Sequence, residues 1–322
     1  MTGGTKFFHI THPRYLLHDT GGEEHPDTPE RLKVIATALA DFDAICTAST
    51  VVAIPAPKKW LQTVHTENYL LRFEETALSG GSYLGHPDNQ LCYETYEIAI
   101  LAAGAGLTGI DLLEKEPGSR IFCSVRPPGH HAEEAVALGF CFLNNTAIAA
   151  RYWQEKYFRR RIAIIDFDAH HGNGIQNAFE EDPDILYVST HEHPTFSFPG
   201  TGYAEETGTG PGKGTTLNIP LLPGAGDAEV KKALAEQIVP ALEKFRPEAL
   251  LIAAGFDGHQ LDDMSGLSFS TQLYNHLGRT IAALGRDLCS GRVVSILEGG
   301  YQLPSLSASV KEYCRGIIEH TE

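Results

Sequence analysis

Asp168 and His170 stand two residues apart in "RIAIIDFDAHHGNG" (161–174), and Asp257 stands in "GFDGH" (255–259). In an extended stretch, side chains at i and i+2 point the same way, as two ligands of one ion must. Asp257 could supply a third ligand from another strand. Three protein ligands with one open position are the pattern of a catalytic zinc site, and the same mixed oxygen and nitrogen set suits Fe(II). One such aspartate alone would read as a helix cap or a backbone-amide acceptor. The whole set reads as a metal site.

His130 and His131 follow a Pro-Pro-Gly turn. Adjacent side chains diverge, so the two imidazoles are expected to differ in role. Asp166 and Asn173 flank the metal ligands, and each could orient one histidine. An imidazole backed by aspartate holds its proton more firmly than one backed by neutral asparagine, which gives one electrostatic helper and one freer base. Tyr301 follows Gly299 and Gly300, whose backbone freedom lets the phenol swing over the metal. There it could hydrogen-bond a developing oxyanion, a contact worth roughly 3–4 kcal/mol; a tyrosine packed at a turn is the plain alternative. Phe140 in "GFCF" and Phe198 in "FSFPGTG" could wall a slot for a thin alkyl chain, although ordinary core aromatics fit the spacing equally well.

These residues need elements to place them. Apolar runs predict strands over Lys6–Ile10, Ile121–Val125, Ile162–Phe167, Ile185–Thr190, Thr216–Pro220, Ala249–Ala254 and Val293–Leu297. Helical patterns cover Thr28–Leu39, Tyr96–Leu113, Asn145–Lys156, Ala228–Phe245, Thr271–Arg286 and Ser305–Ile318. The alternation, with nearly continuous apolar strands, predicts an α/β fold: one domain over residues 1–322, with a central, mainly parallel sheet covered by helices on both faces. In such sheets ligands bind beyond the carboxyl ends of the strands. Five of these strands end in "RPPGHH", "DFDAHH", "STHEH", "GFDGH" and "EGGY", so His, Asp and Tyr side chains gather on one rim.

The bulk properties narrow the partners. A formal charge of −16 over 322 residues repels phosphate backbones, which argues against nucleic acid and for cationic partners such as lysine-rich peptides or polyamines. The plain reading of that charge is solubility. Six cysteines without a CxxC pair indicate neither a disulfide framework nor a thiolate zinc site. No apolar run reads as a bilayer span, and the first residues lack a signal-peptide pattern. The expected location is cytoplasmic, with no membrane partner.

With these residues assembled, the chain resembles the histone deacetylase family of the arginase–deacetylase superfamily, including bacterial histone deacetylase-like amidohydrolases and acetylpolyamine amidohydrolases. The matching segments are "HPDTPERL", "RPPGHHA", "GFCFLNN", "DFDAHHGNG", "FPGTG", "GFDGH" and "LEGGY", in family order from Pro26 to Tyr301. Asparagine at 173 is closer to the class II pattern than to class I, which has aspartate there. The resemblance implies that Asp168, His170 and Asp257 hold Zn²⁺, that His131 is general base and then acid, and that His130 with Asp166 assists. It implies that Tyr301 polarises the scissile carbonyl, while Gly139, Phe140 and Phe198 line an acyl-lysine tunnel. It further implies a structural K⁺ at oxygens of Asp166, Asp168, His170, Ser189 and Thr190, a second K⁺ site involving Phe179, and Arg31 near an inner cavity beneath the metal. Asp88 lies in a rim loop that could touch substrate.

The implied reaction is zinc-dependent hydrolysis of acetyl-lysine-type acetamides to acetate and free amine. An acetylpolyamine amidohydrolase is the nearest rival. The vertebrate polyamine-specific branch carries an acid seven residues after the third ligand, where this chain has Met264. A binuclear Mn²⁺ hydrolase of the arginase type needs more carboxylates than this site offers: Asn173 is neutral, and Gly258 and His259 follow Asp257. A non-catalytic acyl-lysine-binding module would fit a chain lacking the tyrosine or a ligand, and both are present. Relatives range from monomers to tetramers, so a homo-oligomer is compatible with the resemblance.

Overall fold

The computed structural model describes residues 6–319 except 23, 41 and 43–45. Eight strands form one sheet: β1 (Lys6–Thr11), β2 (Thr47–Val52), β3 (Arg120–Cys123), β4 (Ile162–Asp166), β5 (Ile185–Glu192), β6 (Thr216–Leu221), β7 (Ala249–Ala254) and β8 (Val293–Leu297). Their order is β2-β1-β3-β8-β7-β4-β5-β6, and every pairing is parallel. Every residue of β4, β5, β7 and β8 is buried. Both faces of the central sheet are therefore covered, which is why these strands read as unbroken apolar runs.

The helices are α1 (Glu30–Leu39), α2 (Lys58–Leu61), α3 (Glu67–Leu78), α4 (Thr95–Lys115), α5 (Asn145–Tyr157), α6 (Asn173–Phe179), α7 (Asp227–Ala233), α8 (Val239–Phe245), α9 (Thr271–Cys289) and α10 (Leu303–Glu319). Three of these, α2, α3 and α6, were not expected from the sequence, nor was strand β2. The single helix expected over Ala228–Phe245 is interrupted by a π turn at Leu234–Ile238. Pro240 lies just beyond it; proline has no N–H for the carbonyl four residues back and its ring crowds that carbonyl, so the regular ladder cannot continue. Pro29 is the N-cap residue of α1, just ahead of its first turn, and makes no side-chain cap hydrogen bond.

The expectation of no membrane-length run needs correction. Helix α4 is long and apolar enough to cross a bilayer by composition, yet 72% of its most apolar window is buried inside the fold. It is packed against α5, β1, β3 and β8, so its apolarity serves the core.

Sheet order explains how the distant motifs meet. The five polar strand ends belong to β3, β8, β7, β4 and β5, which are neighbours in that order. Parallel pairing puts all five carboxyl ends on one edge.

Candidate active site

Beyond β4, β7 and β8 the chain leaves the sheet and exposes short loops to one another. The ligand atoms of Asp168, His170 and Asp257 lie within 4.8 Å of one another, and it is the one such cluster among the described residues. His170 Nδ1 is 3.1 Å from Asp168 Oδ1 and 3.1 Å from Asp257 Oδ2. His170 Nε2 donates to the Met264 carbonyl at 3.1 Å. Burial opposes a charge on this ring, but the two carboxylates outweigh burial and hold it protonated, with Nδ1–H between them; a bound cation would take the place of that proton on Nδ1. Burial and the nearby Asp168 carboxylate push Asp257 up to about 6. Two buried carboxylates converging on one imidazole nitrogen make a site that a divalent cation satisfies, at bond lengths of about 2.0–2.2 Å.

The cluster tolerates no extra bulk. Gly299 donates its N–H to Asp168 Oδ2 at 2.8 Å. A Cβ there would come within 2.3 Å of Asp257 Oδ2 and 2.6 Å of Asp168 Oδ2, so glycine is required for the backbone to close over the carboxylates.

The two histidines stand with ring centroids 3.9 Å apart in unlike surroundings. His130 Nδ1 is 3.2 Å from Asp166 Oδ2, and its Nε2 is 3.7 Å from Asp168 Oδ1. Burial would lower its pKa, but the Asp168 and Asp166 carboxylates outweigh burial and lift it to about 10. A bound cation would offset part of that carboxylate field. His131 Nδ1 is 2.8 Å from Asn173 Oδ1. Burial, then the charges of His130 and His170, hold His131 well below 6.5. Asp166 also accepts from the Tyr187 hydroxyl at 3.0 Å.

A cavity of about 210 Å³ descends to this floor, lined by Asp88, His131, Gly139, Phe140, His170, Phe198, Met264 and Tyr301. Gly139 and Phe140 both adopt positive φ, at 55° and 66°. A Cβ on Gly139 would meet His131 Cδ2 at 2.4 Å and Phe198 Cε1 at 3.0 Å, so this glycine keeps the passage open. Phe140 sets its ring edge-on to Tyr301 at 5.8 Å, and Phe198 sets its ring edge-on to His131 at 4.9 Å. Asp88 accepts from Gly139 N–H at 3.3 Å, which ties the rim loop to the passage wall. A larger hollow of about 390 Å³, lined in part by Asp19, Tyr83 and Gln90, shares no residue with the ligand cluster.

Tyr301 is placed by its backbone and its ring. Asp262 Oδ2 accepts the N–H groups of Tyr301 and Gln302 at 2.7 and 2.9 Å. Arg31 is fully buried, lies 4.7 Å over the Tyr301 ring, and donates to Gly300 O, Glu298 O and Asp27 Oδ1. Burial raises the Tyr301 phenol well above its ordinary value, although Arg31 opposes this. Ser189 pairs with Asp166 across β4 and β5, and its hydroxyl meets His191 Nδ1 at 2.8 Å. Thr190 is buried beside it. Phe179 closes α6 under the Arg151 guanidinium, away from the contacts of the ligand cluster.

Four contributors were not assigned roles from sequence: Glu298, Asp262, Asp27 and Glu133. The Glu298 carboxylate accepts from the N–H groups of Gly129 and His130, at 2.7 and 3.1 Å, and from the Thr146 hydroxyl at 3.2 Å. An acid at the end of a fully buried strand was the available signal for it. Asp27 and Arg31 stand at i and i+4, a helical ion-pair spacing. For Asp262 and Glu133 the sequence offers no comparable cue.

Fold and site together define a parallel α/β protein with three candidate metal ligands at the carboxyl edge of its sheet, the arrangement of a metal-dependent hydrolase. Comparison with known proteins agrees. Residues 25–317 match the histone deacetylase domain. The chain is 40% identical to histone deacetylase 10, chloroplastic, of Oryza sativa subsp. japonica, over 92% of this chain and 70% of that protein. It is 34% identical to the histone deacetylase-like amidohydrolase of Pseudomonas aeruginosa, over 98% of this chain and 87% of that protein. The crystal structure of the HDA15 HD domain superposes with a TM-score of 0.91 at 33% identity, covering 98% of this chain and 91% of that one. The chain belongs to the histone deacetylase family, whose members are generally metal-dependent hydrolases of acetylated amines.

Proposed function

We propose that the chain is a zinc-dependent deacetylase that cleaves the acetamide of acetyl-lysine-type substrates to acetate and free amine. The observation that carries this reading is the convergence of Asp168, His170 and Asp257 at the floor of the cavity lined by His131, Tyr301, Gly139, Phe140 and Phe198. A divalent ion held there would polarise a carbonyl and acidify a water; the donor set suits Zn²⁺ and also Fe²⁺. His131, neutral at pH 7, takes the water's proton and returns it to the leaving amine. The un-ionised phenol of Tyr301 donates to the developing oxyanion. His130, protonated against Asp166, adds positive charge nearby. Gly139, Phe140 and Phe198 embrace the alkyl chain, and Asp88 and Met264 meet the substrate at the rim. Oxygens of Asp166, Asp168, His170, Ser189 and Thr190 would take a structural K⁺, with Phe179 at a second such site.

An acetylpolyamine is the rival substrate, favoured by the −16 charge; the apolar Met264 in the cavity wall favours acetyl-lysine. Metal analysis of the purified protein, with turnover measured on acetyl-lysine peptides, acetylputrescine and acetylspermidine, tests the reading. One zinc per chain and faster turnover of the peptides are expected. Activity unaffected by complete metal removal would overturn the metal role, and exclusive turnover of the polyamines would overturn the substrate.

A further inference from the structure

Asn173 touches His131 with one end of its amide and Glu133 with the other. Its Oδ1 is 2.8 Å from His131 Nδ1. Its Nδ2 donates to Glu133 Oε1 at 2.7 Å and, at 3.4 Å, to the His131 carbonyl. A primary amide has an accepting end and a donating end of nearly equal size, so asparagine alone does not dictate which way round it sits. A carboxylate can only accept. Exchanging the ends of Asn173 would turn Oδ1 toward the Glu133 carboxylate and the His131 carbonyl, both acceptors, so neither contact would carry a hydrogen.

We propose that Glu133 is a positioning residue: by fixing the orientation of the Asn173 amide, it locks His131 in the tautomer with hydrogen on Nδ1 and the lone pair on Nε2. The inference rests on the reading of His131 as the base. An accepting Oδ1 opposite Nδ1 requires an Nδ1–H. The other nitrogen, on a ring that lines the cavity, is then the one free to take a proton. The division of labour has a physical advantage. An acceptor-only aspartate touching His131 would fix the same tautomer but would place a negative charge against the ring and strengthen its hold on the proton. Glu133 supplies the acceptor-only group one residue removed, through a neutral amide.

Glu133 is itself held in place. Its N–H donates to Val136 O at 3.0 Å, closing a tight turn. The turn is tied down by Thr66 N–H to Glu134 O at 3.1 Å and by Arg72 Nη2 to Ala135 O at 2.9 Å. On the other side, Asn144 Nδ2 holds Ala132 O at 3.0 Å.

The test is a pair of variants with two readouts. Glu133→Gln replaces the carboxylate with a group that can donate or accept, so the Asn173 amide can run either way. It should lower kcat by roughly tenfold or more, the scale on which outer-shell partners act, with KM and metal content unchanged. Adding Asn173→Asp to Glu133→Gln restores one direction, because the glutamine amide donates to an aspartate that can only accept. This double variant should regain the single Nδ1–H tautomer, with the pH profile of kcat moved upward because the aspartate charge now lies against the His131 ring. Ring ¹⁵N spectra should show His131 as the Nδ1–H form in the metal-loaded wild type and as a tautomer mixture in Glu133→Gln. Wild-type kcat in Glu133→Gln, a tautomer mixture that persists in the double variant, or an Nε2–H wild-type ring would each overturn the proposal. The wild-type spectrum decides even if a variant fails to fold. A wild type inactive on every acyl amine would sink the deacetylase reading instead, and leaves the tautomer measurement standing.

Discussion

The floor of the site and the loops around its mouth are built by opposite rules. At the floor, Asp166, Asp168, Asp257, Glu298 and Arg31 are 0% exposed, and each is bound to named partners: backbone N–H groups, imidazoles, carbonyls or an opposite charge. Burying a charge is costly unless it is paired and hydrogen-bonded, so every floor residue has a fixed address. In the carboxyl-edge loops after β5, β6 and β7, large apolar side chains stand in solvent instead: Phe196 at 61%, Leu222 at 64% and Leu261 at 62% exposure. These exposed side chains supply no ligand or hydrogen-bonding group to the site. Chemistry is confined to the layer where desolvation makes position matter, and the exposed side chains above it can vary with small effects on the reaction.

Breaking the floor should therefore have the largest effect. Asp257→Ala removes one of three ligands and leaves Asp168 and His170 without their partner. Turnover should fall below detection together with bound metal, read by metal analysis and a deacetylation assay. Full metal content in an inactive Asp257→Ala would mean that Asp257 acts in some way other than as a ligand. Next comes Tyr301→Phe, which keeps the ring over which Arg31 lies and removes only the hydroxyl. A fall in kcat of roughly 10²–10³-fold at unchanged metal content is expected, the usual scale for one oxyanion donor. A change in KM alone would place the phenol in binding.

The floor also carries a pH signature. Burial pushes Glu298 up to about 7, against the opposing charge of His130 and the N–H donors of Gly129 and His130. Between its ordinary value of 4.5 and about 7 the folded chain holds a proton that the unfolded chain has released. This group's contribution therefore lowers stability as pH rises through that window. Glu298→Gln has no such proton to lose. Urea unfolding from about pH 5 to about pH 8 should show the stability difference drifting toward the variant, by at most about 1.4 kcal/mol per pH unit. A difference independent of pH would mean that Glu298 is ionised throughout.

The same contrast explains what could be read in the chain. All seven strands expected from apolar runs exist within a few residues of their expected ends, because central strands covered on both faces have little choice but to be apolar. Three of them, β4, β7 and β8, together with β3 and β5, carry the motifs "DFDAHH", "GFDGH", "EGGY", "RPPGHH" and "STHEH". Strand β2, "TASTVV", was missed because it is an edge strand, short of large apolar residues. Helix α3 was legible in principle: Thr66 caps it and Tyr69, Leu70, Phe73 and Ala77 form its buried stripe. Helix α6 begins at Asn173 inside a glycine-rich motif that reads as loop. Contacts such as Glu133 with Asn173 or Asp262 with Tyr301 join segments about 40 residues apart through loop geometry. No local pattern encodes such contacts.

The smallest effects belong to the mouth, where the contrast can be sharpened. Phe198 is 42% exposed yet faces His131 and the passage, so it stands at the boundary between the two regimes. Phe198→Ala should raise KM for an acetyl-lysine peptide by roughly tenfold, the scale of a partly lost apolar contact, with a lesser fall in kcat. Leu261 lies beyond that boundary. Its N–H is held by His259 Nδ1 at 3.1 Å, a backbone contact that survives any change of side chain. Leu261→Ser should therefore change kcat and KM by less than about threefold, since surface substitutions away from packed or paired groups usually stay within ±0.5 kcal/mol. A large fall in kcat at this exposed position, with stability and metal content unchanged, would show that the loop moves onto the substrate during turnover, and the division between a fixed floor and a permissive mouth would fail there first.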